Sequence, residues 1–293
     1  MFELPRDAVT ALDDGWDLTS TLPGAAATPA DLVGLERLPA IVPGTVAAAL
    51  ARLGRWSLDT PTPLHDRDHW YRRRLDVAGR RLLRLDGLAT IAEVFLDGRE
   101  ILRSTSMFLA HEVAVDLVPG MELAIVFRSL DRALDAVKPK RARWRSTLVP
   151  DQRLRAIRAT LLGHMPGWCP PVDVIGPFRP ITLVDPSATP VLAADLRAEW
   201  DGIDGHLTAR LVAGDGHDLA GAVLACAGCE APLVRADDGA WTARLHLAGI
   251  EPWWPATHGS PTLHDVALAH AGESMPLGRV GFPRVGVESG RDG

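Results

Sequence analysis

The sequence contains no Asn, a single Gln (Gln152) and a single Tyr (Tyr71), and only Lys138 and Lys140 among its 31 basic residues are lysines. This usage reads as codon bias toward GC-rich triplets, and it removes every N-glycosylation acceptor. Cysteine is equally scarce. Cys169, Cys226 and Cys229 are too few for a disulfide framework, which makes a reducing cytoplasm the expected compartment. No window approaches the ~18 apolar residues of a membrane span. The N-terminal MFELPRDAVTALDDGW carries acids and a proline where a secretory signal needs basic residues and an apolar run. A net charge of -6 gives no electrostatic reason to expect nucleic acid as a partner. The G-x-S-x-G elbow, the Gly-rich phosphate loop and the H-E-x-x-H helix are all missing, so no cofactor and no sequence-local catalytic motif is expected.

What is present is 47% hydrophobic and 23% charged over 293 residues, enough apolar material for two ordinary domains. From Trp70 onward short alternating runs are broken by turn residues: HWYRRRLDV, RLLRLDG, EVFLDGREIL, MFLAHEVAV and ELAIVF. That pattern predicts a β-sandwich rather than βαβ units. Asp97-Gly98 between EVFL and REIL predicts a tight hairpin, because both residues tolerate positive φ. Two helices are expected inside this region. One covers Pro43 to Leu53 with Thr45 as its cap, and the other covers Asp151 to Leu162 with Leu154, Ile157, Leu161 and Leu162 on one face. The Pro- and Ser-containing VDPSATPVL (Val184 to Leu192) reads as a linker. Beyond it ADLRAEW, HLTARLVA, AGAVLACA, APLVRA, WTARLHL, LHDVALAH and GRVGFPRVGV supply about seven strands in about 100 residues, the density of an immunoglobulin-like sandwich.

Four features could carry chemistry. Cys226-Ala-Gly-Cys229 has the spacing of half a zinc ribbon, but a closed site needs four ligands and no second pair exists, so small apolar positions beside a strand are expected and no metal site. Arg128 to Arg158 holds ten Lys/Arg against three Asp. This stripe reads mainly as a solvated crossing paired with acids elsewhere, with contacts to an anionic or sugar ligand as the alternative for residues such as Arg158. Between Gly163 and Gly176 the chain is too rich in Pro and Gly for a regular element, yet it holds His164, Trp168 and Asp173. An irregular loop with a Trp, a His and a carboxylate suits a sugar, whose C–H face stacks on the indole while polar neighbours fix its hydroxyls. Plugging the end of a sandwich is the other reading of that Trp. Finally, Trp253-Trp254, bracketed by Pro252 and Pro255, reads as a surface for packing against another domain, with a ligand platform as the alternative.

The order of several segments resembles the N-terminal half of the β-mannosidase branch of glycoside hydrolase family 2. They are IVPGTVAAALARLG (Ile41 to Gly54), DHWYRRRLDV (Asp68 to Val77), LDGLATIAEVFLDGREILRSTSMFLAHEVAV (Leu85 to Val115), GPFRPITL (Gly176 to Leu183), EPWWPATHGSPTLHDVAL (Glu251 to Leu268) and GRVGFPRVGV (Gly278 to Val287). The resemblance implies an all-β chain: a jelly-roll, galactose-binding-like sandwich with short inserted helices over residues 1–186, an immunoglobulin-like sandwich over 187–288, and a tail over 289–293. It also implies kinship with retaining exo-glycosidases that work through a covalent glycosyl-enzyme.

Two departures from the family pattern shape the functional expectation. Where family members send a W-D-W-G-P loop toward the terminal sugar, this sequence has Pro166-Gly167-Trp168-Cys169-Pro170, with Gly167 in the position of the Asp. The sugar is therefore left open, and Asp173 is the nearest substitute carboxylate. The family's catalytic glutamates belong to a (β/α)₈ barrel of about 250 residues, whereas only ESGRDG follows Val287 here, and acids such as Glu93 and Glu112 lie in strands. The expected role is thus that of non-catalytic modules, with an oligosaccharide or glycan met by Trp168, Asp173, His164 and Arg158 and a barrel packing on Trp253 and Trp254. A free-standing lectin-like module and a structural scaffold for a separately encoded barrel are the alternatives.

Overall fold

The structure, a computed structural model, describes residues 2–138 and 145–284. It divides into two compact units, Thr10–Val184 on the one hand and residues 2–9 with 185–284 on the other. Lys140, Trp144 and everything after Arg284 lie outside the described residues.

The unit Thr10–Val184 is built from β1 (Val9–Ala11), β2 (Trp16–Thr21), β3 (Leu38–Ala40), β4 (Asp68–Leu75), β5 (Gly79–Leu85), β6 (Ala92–Leu96), β7 (Arg99–Ser104), β8 (His111–Leu117), β9 (Met121–Phe127) and β10 (Ile181–Val184). They form a four-stranded sheet ordered β1-β10-β5-β8 and a six-stranded sheet ordered β3-β2-β4-β9-β6-β7. Alternation along each strand sends one set of side chains between the sheets. Leu18, Tyr71, Ile125 and Phe127 from the larger sheet meet Leu83, Leu85, Ile181 and Leu183 from the smaller. The outer face of the larger sheet is covered as well, for Ala26 and Leu32 close over Trp70, Phe95, Ala124 and Val126. This is the β-sandwich that the strand spacing predicts, in the jelly-roll form that the family resemblance implies.

Local signals are realised where they are self-contained. Asp97 (φ 48) and Gly98 (φ 80) form the two-residue turn that sets Leu96 opposite Arg99. The helix α1 (Val46–Arg52) starts at Thr45, whose side chain accepts a hydrogen bond from the Ala48 N–H at 3.2 Å. The helix expected over Asp151 to Leu162 does not form. A five-residue 3₁₀ turn, Gln152–Ala156, stands in its place. The Asp151 carboxylate accepts from the Arg153 N–H at 2.9 Å and the Gln152 amide donates to Ser146 O at 2.9 Å, so side chains hold the backbone in a turn. Leu154 and Ile157 do reach a small apolar cluster with Leu130, Leu134 and Val149, while Leu161 and Leu162 are exposed. The basic stripe includes α2 (Leu130–Asp135), and two of its described cations pair with acids, Arg128 with Asp68 and Glu93 and Arg153 with Asp135 and Asp151, while Arg132 donates to Pro23 O and Arg155 to Gln152 O.

The second unit holds β11 (Val191–Trp200), β12 (Gly205–Ala213), β13 (Val223–Cys226), β14 (Cys229–Pro232), β15 (Val234–Arg235), β16 (Trp241–Leu247), β17 (His264–His270) and β18 (Glu273–Val280). The sheets are ordered β11-β12-β16-β15 and β14-β13-β17-β18. That is the immunoglobulin-like arrangement of A-B-E-D facing C-F-G, with β14 as an extra edge strand. Leu207, Leu211, Leu224, Trp241, Leu268 and Phe282 fill the core between them. The sequence run APLVRA does not make one strand. It is divided between β14 and β15, in different sheets, with Leu233 buried at the crossing and its N–H bonded to Ala222 O at 2.9 Å. Residues 2–9, which the sequence places with the first domain, group with this unit. Phe2 packs on its core, and the Asp185 N–H donates to Ala8 O at 2.8 Å.

Candidate functional site

The irregular loop expected to meet a sugar lies in the first unit. Its shape follows from glycine and from backbone turns. Gly163 sits at φ +88, and a Cβ there would come within 2.2 Å of Val172 O, so only glycine fits. Its N–H points at Cys169 Sγ at 3.1 Å, and the Trp168 and Cys169 N–H groups donate to Met165 O at 3.1 and 3.2 Å. The turn so formed leaves the Trp168 side chain 74% exposed. An indole in that position plugs no core and presents a free face.

Asp173 and His164 are drawn to a different place. Asp173 Oδ2 accepts from the Leu64 N–H at 2.7 Å and the His65 N–H at 3.2 Å, tying the loop to the segment before β4. The His164 ring stacks on that of His65, with centroids 5.3 Å apart and planes 13° from parallel. Arg158 is exposed; its carbonyl accepts from the Met107 N–H at 3.0 Å and its backbone bridges Ser106. The structure thus gathers Asp173 and His164 around His65, and places Trp168 and Arg158 outside that cluster.

The sequence reading missed His65 and His69. Burial pushes the His65 imidazole down to about 4, with the Asp173 charge opposing and His164 adding to the effect, so the ring is neutral at pH 7. His69 is buried too. Its Nε2 faces Leu64 O at 2.9 Å and must donate, which leaves Nδ1 to accept from the Ser20 hydroxyl at 2.9 Å. His69 also lines an open groove of about 690 Å³ with Ser20, Glu36, Arg55, Asp66 and Arg67. The clustering of His65, Asp66, Arg67, Asp68 and His69 in five consecutive positions was the available signal.

In the second unit, Trp200, Trp253, Trp254, His258 and Arg284 line a cleft of about 330 Å³. Backbone bonds fix two of its aromatic residues: the Trp253 N–H donates to Phe282 O and the Trp200 N–H to Pro283 O, each at 3.0 Å. Trp253 lies against Gly281 and Trp254 against Gly259, where added Cβ atoms would come within 2.7 and 2.9 Å of the respective side chains. Trp254 remains 45% exposed. Cys226 and Cys229 are free thiols at the β13–β14 turn, and no cluster of three or more metal-ligating side chains exists among the described residues. No helix among the described residues is long and apolar enough to cross a membrane.

Comparison with known proteins fits this architecture. The chain is 29% identical over 224 residues to β-mannosidase B of Aspergillus flavus, a match covering 71% of this chain and 26% of that protein. It is 27% identical over 200 residues to β-mannosidase B of Aspergillus terreus, covering 64% and 23%. The chain therefore spans about a quarter of the length of the curated relatives it matches. Among solved structures, the β-D-mannosidase from Dictyoglomus thermophilum superposes with a TM-score of 0.66 at 16% identity, covering 94% of this chain and 36% of that one. A β-glucuronidase from Bifidobacterium dentium superposes with a TM-score of 0.56 at 19% identity, covering 95% and 48%. At such identities these likenesses speak for the fold. The family model for the glycosyl hydrolase 2 galactose-binding domain-like family matches residues 16–179, more than half of the chain. On that match, and on the sandwich that the matched residues build, the chain belongs to the glycosyl hydrolase 2 galactose-binding domain-like family.

Proposed function

We propose that the chain serves as the non-catalytic N-terminal pair of sandwich modules of a β-mannosidase-like retaining exo-glycosidase acting on a terminal β-linked mannose or a related sugar. The observation that carries this reading is the Trp168 turn, a 74% exposed indole on a loop shaped by Gly163, in the stretch whose sequence resembles the family's sugar-facing loop. Trp168 supplies a stacking face to the sugar ring and the exposed Arg158 is a candidate hydrogen-bond donor, while His164 stays with His65. Asp173 acts by holding the loop to Leu64 and His65. The half-exposed Trp254 and its neighbour Trp253 seat the catalytic domain. In that domain one carboxylate attacks the anomeric carbon and a second protonates the leaving oxygen.

The test is an assay of the 293-residue chain with an aryl β-mannoside. No release of the phenol above that of a Trp168→Ala control is expected, and release above it overturns the non-catalytic assignment. Calorimetry with mannobiose separates the module from a lectin. Half a pocket gives no measurable heat, whereas micromolar binding abolished by Trp168→Ala identifies a free-standing sugar-binding protein instead.

A further inference from the structure

Two of the three cysteines meet across a hairpin turn. Cys226 ends β13, Cys229 begins β14, and the two are direct partners in the antiparallel register. Ala227 (φ 48) and Gly228 (φ 78) form the two-residue turn between them. Directly opposed residues project to the same face of a sheet. Here that face is the core of the second unit: Cys226 is one of its buried members, at 2% exposure, and Cys229 packs against it. The Cα atoms of opposed antiparallel residues lie about 4.5–5.5 Å apart, inside the window of about 4.4–6.8 Å that a disulfide requires. Zinc is a poor fit, since no third or fourth ligand stands near the pair among the described residues.

We propose that Cys226 and Cys229 form a reversible intramolecular disulfide by exchange with a small-molecule disulfide of the glutathione type. Cys229 is partly exposed and is the entry thiol. Burial pushes the Cys226 thiol up to about 11, which suits it to the second, intramolecular step rather than the first. The Cys229 thiolate attacks one sulfur of oxidised glutathione. That S–S bond breaks, and one glutathione leaves as a thiolate that takes up a proton. The Cys226 thiol then gives up its proton and attacks the Cys229 sulfur of the mixed disulfide, releasing the second glutathione. Two protein thiols are oxidised and one glutathione disulfide is reduced to two thiols.

Cys169 is an internal control in the same chain. It lies in the other unit, and its Sγ is engaged with the Gly163 N–H at 3.1 Å and Met165 O at 3.6 Å. The experiment incubates the folded chain with oxidised glutathione, alkylates the remaining thiols and maps them by peptide mass spectrometry. The expected product has lost two hydrogens, carries no glutathione on Cys226 or Cys229, and is alkylated at neither of them. Cys226→Ala is expected to trap glutathione on Cys229, and Cys229→Ala, at the more exposed position, to leave Cys226 unmodified. Wild-type chain that keeps both thiols alkylatable, or that accumulates a stable glutathione adduct at Cys229, overturns the proposal. So does protection of both thiols by added zinc with no loss of hydrogens.

Discussion

Asp173 touches His65 through the backbone and not through the ring. Its Oδ2 accepts the His65 N–H at 3.2 Å, whereas Oδ1 stands 3.6 Å from the ring Nε2, too far for a hydrogen bond. The same Oδ2 takes the Leu64 N–H at 2.7 Å. Two backbone donors therefore depend on one partly buried carboxylate. Asp173→Ala strands both and is expected to cost about 1–3 kcal/mol of unfolding free energy, while Asp173→Asn, which keeps an acceptor, costs less. Urea titrations of the two variants measure the difference. Equal losses would show that the tether is unimportant.

The neutral His65 ring makes stability depend on pH with a defined sign. Its folded value, about 4, lies below the ordinary 6.5, so between these pH values the unfolded chain binds the extra proton. Stability is then full above about pH 6.5 and falls on acidification toward pH 4, by at most about 1.4 kcal/mol per pH unit for one proton. Burial lowers His69 as well, so its effect has the same sign. His65→Gln is expected to flatten the acid limb without abolishing it, as read from urea midpoints between pH 4 and 7. A variant whose acid limb matches the wild type would remove His65 as the cause.

What the sequence disclosed and what it concealed divide by the distance over which each feature is determined. The Asp97-Gly98 turn and the Thr45 cap are settled within four residues, and both are read correctly from the chain alone. The helix expected from Asp151 onward fails because the apolar spacing of Leu154 and Ile157 is overridden by side chains bonding back to the local backbone. APLVRA reads as one strand since nothing in it shows that the chain changes sheets at Leu233. Asp173 looks like a sugar ligand for a similar reason. Its main partner, Leu64, is 109 positions away, and a carboxylate's partner at that range cannot be inferred from spacing.

Asp68 anchors the start of β4 with three interactions. Its Oδ2 accepts from Gly24 N at 3.0 Å and Arg128 Nη1 at 2.9 Å, and its Oδ1 accepts from Ser129 N at 2.8 Å. The side chain is 2% exposed. Asp68→Ala takes the acceptor from the Gly24 and Ser129 N–H groups and leaves Arg128 with Glu93 as its remaining acid, so it is expected to cost about 1–3 kcal/mol. The double variant Asp68→Leu with Arg128→Met removes the Asp68–Arg128 pair, leaves Glu93 to Arg103, and is expected to recover part of the loss. A double variant no more stable than Asp68→Ala would locate the cost in the lost Gly24 and Ser129 bonds alone.

The Trp168 turn gives the sharpest separation of stability from recognition. Trp168→Ala removes an exposed side chain and is expected to shift unfolding by no more than about 0.5 kcal/mol. Gly163→Ala, five positions earlier, forces a Cβ to within 2.2 Å of Val172 O at positive φ. Strain at such a position typically exceeds the ~1 kcal/mol that Ala in place of Gly gains when compatible, so this variant is expected to be destabilised and to reshape the loop. Thermal unfolding ranks the two, and acrylamide quenching, read as the difference from Trp168→Ala, follows the indole itself. If Gly163→Ala unfolds like the wild type and leaves Trp168 equally quenchable, the loop does not need glycine there, and the geometry assigned to the stacking face is wrong.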